Sequence, residues 1–168
     1  MFFWFLGLSF AIVLIVFSSP ALDYRFVMLG AVLPVGEAIF RGPWLLHTLL
    51  GPVSALVIVM LATQGRRLVR RRWLGIPIGL FMHLVLDASW ADASAFWWPF
   101  LGVDGVLGGG MVNEFQRPIE VILLLEAIGL VVLVFFVRRL DILGEGRELF
   151  VKEGQILRDR RSKPRHFF

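Results

Sequence analysis

The sequence predicts an all-α, polytopic integral membrane protein with about five transmembrane helices, and two properties of the chain support this prediction. The first is composition: 58% of the 168 residues are hydrophobic, 18% are charged, and the mean hydropathy is +0.79. A soluble domain averages about 45–50% apolar and about 25% charged residues. The second is that the apolar residues form runs close to the ~20 residues that cross a bilayer. The composition therefore excludes an ordinary cytosolic globule and a disordered chain.

Five apolar runs are the candidate spans. Phe2–Phe17 has no positively charged residues before it and no A-x-A site after it, so it is predicted as a retained helix and not a signal peptide. Phe26–Phe40 is shorter and carries Pro34 and Glu37, so it either crosses the membrane or re-enters it. The other three runs are Trp44–Thr63, Trp73–Trp90 and Ile119–Val137.

Two basic clusters set the orientation. Five arginines lie from Arg66 to Arg72 and nine Lys or Arg residues lie from Arg138 onward, each cluster directly after an apolar run. Basic residues that flank spans mark the cytoplasmic side. The N-terminus and the segment Ala91–Pro118 are therefore expected outside. The clusters indicate topology and not nucleic-acid binding, although the pI is about 10.6.

The same reasoning divides the chain into a transmembrane helical domain, residues 1–140, and a cytoplasmic charged tail, residues 141–168. The tail carries charges of both signs. Its start is either an amphipathic helix on the membrane surface, where basic residues favour anionic lipid headgroups, or a solvated chain.

Ionisable side chains inside the predicted spans lie in the outer half of the membrane, as judged from a helical rise of about 1.5 Å per residue. Such residues are costly in a bilayer and are functional candidates by default. Acidic groups together with two histidines suit a divalent cation. The absence of cysteine excludes a thiolate ligand and a cysteine nucleophile. The ionisable residues inside the predicted spans are Glu37, His47, His83, Asp87, Glu120 and Glu126.

The sharpest motif is His83-Leu84-Val85-Leu86-Asp87, because residues i and i+4 share one face of a helix. Both side chains can then bind one ion. Alternatively, Asp87 orients His83, or the two form a hydrogen bond that holds helices together. His47 is the third candidate ligand. Three further residues are candidate catalytic groups: Glu37 or Glu126 as a fourth ligand or general base, and Arg41 as a partner for Glu126 or for a phosphate.

Several of these pieces together resemble the membrane-bound metal-dependent hydrolases, also described as LexA-binding, inner-membrane-associated hydrolases. The matching elements occur in the family's order between about Asp23 and Phe100. The chain departs from the family at two positions. Val35 stands where the family has an Asp after Leu-Pro, and Phe40 stands where the family often has a His before Arg-Gly. The elements are Leu33-Pro34, Arg41-Gly42 with His47-Thr48, the motif His83 to Asp87, and Trp98-Pro99-Phe100.

The resemblance implies a metal-dependent hydrolase in the bacterial inner membrane that acts on a lipid or lipid-linked phosphoester at the outer face. The expected ion is zinc, held by His83, Asp87 and His47. The expected partners are membrane lipid and either a membrane protein or a second copy of the chain. The departures favour an alternative, a non-catalytic small membrane subunit or scaffold. An ion or proton pathway ranks last, because the inner half of the spans lacks ionisable residues.

Overall fold

The computed structural model describes residues 1–19, 22–41, 44–101, 117–144 and 146–156, and the side chains of residues 40 and 41 lie outside this set. Regular structure in these ranges is entirely helical, without a strand, which confirms the predicted all-α class. Two 3-10 helices, Leu45–His47 and Ser89–Ala91, join the longer elements. The α-helices are α1 (Phe2–Phe17), α2 (Tyr24–Arg41), α3 (Leu50–Ala62), α4 (Arg67–Trp73), α5 (Gly75–Asp87), α6 (Ala93–Phe96), α7 (Ile119–Arg139) and α8 (Arg147–Glu153).

The helices cross at glycines. The most extensive contacts join α2 to α5 and α1 to α7, while α3 packs against α5 and α1 also contacts α2. A Cβ atom on Gly79 would lie 2.1 Å from the carbonyl oxygen of Val27, and one on Gly7 would lie 2.2 Å from that of Gly129. Close backbone approach at small residues is typical of helix packing in membranes.

Large apolar side chains cover the outside of the bundle, and polar side chains lie within it. Ile58 is 64% exposed, Leu61 62% and Leu123 62%. Soluble proteins rarely expose apolar surface on this scale, so an apolar solvent or a partner is expected to cover it. The buried polar residues are Ser9, Asp23, His47, Thr48, Thr63, His83 and Asp87.

Among the described residues, α7 is the one helix that is both long and apolar enough to cross a membrane, with 21 residues. Helices α1 and α3 are apolar but shorter, with 16 and 13 residues. Leu74 between α4 and α5 keeps right-handed helical angles, so these two helices follow each other with little interruption. The structure therefore supports one membrane-crossing helix by length, and the five-span topology remains a prediction.

The third predicted span is not a continuous helix. It begins with the 3-10 turn Leu45–His47, passes through an extended Thr48, and only then enters α3. Pro52 lies in the first turn of α3, where proline is tolerated because the N–H groups there have no helical partner. Gly51 lets the turn fold closely over the start of α3, since a Cβ there would lie 2.8 Å from the carbonyl oxygen of Leu45. The break turns the His47 side chain into the bundle, where it is 3% exposed.

The start of the C-terminal tail packs on the helix bundle. Ile142 and Ile156 are buried in one apolar cluster with Phe10 and Val13 of α1. The backbone N–H of Tyr24 donates to the carbonyl oxygen of Gly154 at 2.9 Å. The tail start, which the sequence leaves as either a helix on the membrane surface or a solvated chain, is therefore docked on the helix bundle. Residues 157–168 lie outside the described part of the chain.

Candidate metal centre

The structure brings the three predicted metal ligands together. His83 and Asp87 lie on one face of the last turns of α5, as their spacing requires, and His47 reaches them from the turn before α3. One potential ligand atom from each residue lies within 4.8 Å of those from the other two, and all three side chains are buried. This group can hold a metal ion.

A backbone hydrogen bond fixes the tautomer of His83. Its Nδ1 lies 2.8 Å from the carbonyl oxygen of Ala31 in α2. A carbonyl oxygen only accepts, so Nδ1 carries the proton and Nε2 keeps its lone pair. The ring stacks on Phe5 with 4.0 Å between centroids. Nε2 is buried and has no hydrogen-bond partner among the described residues, so a metal can use it as a ligand.

A carboxylate orients His47 in the same way. His47 Nδ1 lies 3.1 Å from Glu37 Oε2, and Glu37 also accepts the backbone N–H groups of Trp44 at 3.2 Å and Leu46 at 3.0 Å. This arrangement leaves the Nε2 lone pair available, and that atom is buried without a partner in the described ranges. Metal-ligating histidines usually donate their second nitrogen to a carboxylate or carbonyl. Glu37 is therefore placed to position His47, and its predicted role as a fourth ligand or general base stays a prediction.

Both carboxylate oxygens of Asp87 accept hydrogen bonds. Its Oδ1 accepts from Arg117 Nη2 at 2.9 Å and its Oδ2 from the Ser89 hydroxyl at 3.1 Å. Arg117 Nη2 also donates to the Asp87 carbonyl oxygen at 2.8 Å. Ala88, with a left-handed φ of 59°, ends α5 and turns Ser89 back toward the carboxylate. An ionised carboxylate has about four acceptor sites, so Asp87 keeps lone pairs for a metal.

The size and donors of the group suit a small divalent ion. Ligands at about 2.1 Å from a metal lie at most about 4.2 Å apart, so the group must contract by less than an ångström to bind one. Two imidazoles and one carboxylate occur in catalytic zinc sites and in non-haem iron sites. The donors therefore indicate a divalent metal without selecting zinc.

The remaining predicted site residues lie elsewhere or outside the described set. Glu126 Oε2 accepts the backbone N–H of Phe3 at 2.7 Å, and its other oxygen accepts that of Phe2. A carboxylate at a helix N-terminus satisfies free N–H groups and the helix dipole, so Glu126 stabilises the start of α1. The Arg41 side chain lies outside the described residues, and Glu120 is exposed. The catalytic roles of Glu37, Glu126 and Arg41 stay predictions.

The sequence did not predict that Arg117 contacts the site. Its guanidinium pairs with the Asp87 carboxylate at 2.9 Å. The available signal was its position next to Pro118, two residues before the predicted span that begins at Ile119. A basic residue at the end of a predicted span is expected to pair with a carboxylate.

The segment after α5 lies beside the metal centre. The backbone N–H of Leu49, just after the turn that holds His47, donates to the Phe96 carbonyl oxygen at 2.9 Å. Asp92 caps α6 by accepting from the Ser94 and Ala95 N–H groups, and the hydrogen bond with the Ser94 hydroxyl lowers the pKa of Asp92. Exposed aromatic side chains on this segment are Trp90, Trp97 and Phe100.

No family model matches this chain, and comparisons with curated proteins and with solved structures gave no significant match. The resemblance to membrane-bound metal-dependent hydrolases therefore rests on the sequence elements quoted above.

Proposed function

We propose that this protein is a membrane-embedded metal-dependent hydrolase that acts on a lipid or lipid-linked phosphoester at the outer face. The observation that carries the proposal is the pair of buried Nε2 atoms of His47 and His83, both without a hydrogen-bond partner among the described residues, beside the Asp87 carboxylate. An unsatisfied buried polar atom costs about 1–3 kcal/mol. One divalent cation would satisfy both nitrogens and the carboxylate together.

The chemistry follows from the ligand number. Three protein ligands leave a coordination position for water, whose pKa a catalytic metal lowers toward about 7. Ala31 and Glu37 hold the two imidazoles in the tautomer that ligates. The Arg117 guanidinium donates to Asp87 through Nη2, and its remaining donors would bind a phosphate oxygen of the substrate. Zinc is the ion we expect, because it combines this ligand set with hydrolysis.

The distribution of charge along the bundle supports the proposed five-span arrangement. The metal centre lies at the C-terminal end of α5, whereas the arginines of α4 lie at its N-terminal end. The 13 residues of α5 span about 20 Å, so the two groups lie at opposite ends of the bundle. A cytoplasmic α4 and C-terminal tail then place the metal centre near the outer face.

The substrate class follows from the surroundings of the centre. Trp90, Trp97 and Phe100 on the adjoining segment are exposed, and tryptophan favours the interface between headgroups and acyl chains. The bond between Leu49 and Phe96 keeps this segment next to the turn that carries His47. We expect a lipid headgroup to approach the metal from this segment, without leaving the bilayer.

The alternative, a non-catalytic subunit or scaffold, also has support. The Asp87–Arg117 ion pair and the Glu126 bonds to α1 join different parts of the chain, as polar contacts in a structural bundle do. That alternative leaves the two imidazole Nε2 atoms unexplained. The two functions therefore differ in whether the purified protein contains a metal.

The test is the metal content of the detergent-purified protein, measured by inductively coupled plasma mass spectrometry without a histidine tag or chelators. We expect near-stoichiometric metal in the wild type, its loss in His83→Ala, and its retention in His166→Ala, which removes the third histidine of the chain. Size-exclusion chromatography confirms that each variant remains folded. If the wild type carries no metal, the proposal fails and copurifying proteins become the next question. If metal is present but no phospholipid or lipid phosphate is hydrolysed, the centre stands and the hydrolase does not.

A further inference from the structure

A cleft lies at the end of the bundle opposite the candidate metal centre, between α4 and α8. Its volume is about 450 Å³. It is bordered by the basic helix that follows α3 and by the docked start of the tail. The lining residues that matter here are Asp23, Leu68, Arg71, Arg72, Lys152 and Glu153.

The buried carboxylate of the cleft is already compensated. Asp23 Oδ2 lies 2.9 Å from Arg25 Nη2 and 3.0 Å from Arg72 Nε, and the Asp23 side chain is 2% exposed. Arg25 also donates to the backbone carbonyl oxygens of Val151 and Lys152. This network fixes the tail against α2 and α4. It leaves Asp23 without an unpaired charge that would attract a cation.

The cations at the rim remain available. Arg71 is exposed, and the Lys152 ammonium lies 3.8 Å from Glu148, where both side chains are highly exposed. Such a surface pair contributes little and exchanges readily with another anion. Arg66, Arg67 and Arg70 continue the positive charge along α4. Within the cleft, the three cations Arg71, Arg72 and Lys152 exceed the two acids Asp23 and Glu153, so the lining carries a surplus of one positive charge.

Apolar side chains accompany these cations. Leu68 lines the cleft and is 82% exposed, and Val69 and Trp73 on the same helix are 41% and 43% exposed. A basic helix with exposed leucine and tryptophan is typical of a segment at the membrane interface. A free phosphate would leave Leu68 in water, whereas a lipid supplies both an anion and acyl chains.

We infer that this cleft binds the anionic headgroup of a phospholipid, with the phosphate between Arg71 and Lys152 and the acyl chains against Leu68. The bound lipid joins α4 to the docked tail. The inference requires the chain to lie at a membrane, but it does not require a metal or hydrolysis. The experiments can therefore show the failure of one proposal without the failure of the other.

Native mass spectrometry of the full-length protein, titrated with phosphatidylglycerol or phosphatidylcholine of identical acyl chains, tests the inference. The variant Arg71→Gln/Lys152→Gln removes two cleft charges, and Arg66→Gln/Arg67→Gln removes two charges of the same region outside the cleft. We expect the cleft variant to weaken phosphatidylglycerol binding about tenfold or more, because each basic residue near an anionic lipid adds to the binding free energy. The control variant should change the binding little.

Three results would overturn the inference. Equal losses in both double variants would show a diffuse charge effect and no cleft site. Equal binding of phosphatidylcholine and phosphatidylglycerol to the wild type would remove the requirement for an anionic headgroup. Displacement of the lipid by an equal concentration of inorganic phosphate would make the cleft a free-phosphate site. All four substituted side chains are exposed, so misfolding is not the expected outcome of either variant.

Discussion

Hydrogen bonds to Nδ1 decide what the two histidines can do. Ala31 accepts from His83 and Glu37 accepts from His47, so in each ring the second nitrogen is the one left to ligate. A histidine on an apolar helix face usually satisfies its polar atoms within the protein. Among the described residues, both rings are hydrogen-bonded on one side only, in each case by a residue of α2. One potential ligand atom of each ring lies within 4.8 Å of the other and of one from Asp87, so these residues could hold a metal ion.

The carboxylate behind His47 should tune the metal affinity. We expect Glu37→Gln to weaken metal binding about 10–100-fold, the usual effect of removing an outer partner of a ligating histidine. Competition with a chromophoric chelator measures the affinity. Glu148→Gln, an exposed substitution on α8, is the matched control and should leave it unchanged. An unaltered affinity in Glu37→Gln would mean that Glu37 does not support the site.

Glycines set how closely the helices approach, and through that the geometry of the centre. The contact between α2 and α5 brings the Ala31 carbonyl oxygen within 2.8 Å of His83 Nδ1. Gly30 and Gly79 lie at this crossing, where a Cβ on either would collide with backbone of the other helix. Larger residues would separate the two helices and lengthen the bond that fixes the His83 tautomer.

Gly79→Ala should therefore destabilise the bundle. We expect a loss of about 1–3 kcal/mol from overpacking, because the added methyl would meet the Val27 carbonyl oxygen at 2.1 Å. Gly36→Ala on α2 is the control: no atom lies within 4 Å of its Cβ position, and alanine gains about 0.5–1 kcal/mol in a helix. Thermal unfolding in one detergent compares the two. Similar melting temperatures for both variants would show that the crossing is looser than described.

At the scale of the whole molecule, the bundle separates its charges into two ends. Glu37, His47, Asp87 and Arg117 gather near one end of α5, and Asp23 with its arginines gathers near the other. Apolar side chains cover the helices between them. The proposed five-span arrangement would place the proposed hydrolase centre and the proposed lipid cleft at opposite leaflets.

The absence of native cysteine makes this orientation directly testable. We expect a membrane-impermeant maleimide to label Ser94→Cys in intact cells, and Gln64→Cys only after lysis, because α5 separates the two exposed positions. Reversed labelling would invert the orientation and place the metal centre in the cytoplasm. Labelling of both positions from the same side would show that α5 does not cross between them.

The sequence by itself determined the helical class and the joint position of His83 and Asp87. Both depend on local periodicity: apolar runs indicate helices, and a spacing of four residues places two side chains on one face. The tertiary structure decided the rest. His47 reaches the site only because the third predicted span breaks at Thr48, Glu126 stabilises α1, and residues 142–156 dock on the bundle. These contacts join residues far apart in sequence, and they depend on helix packing that no local pattern specifies.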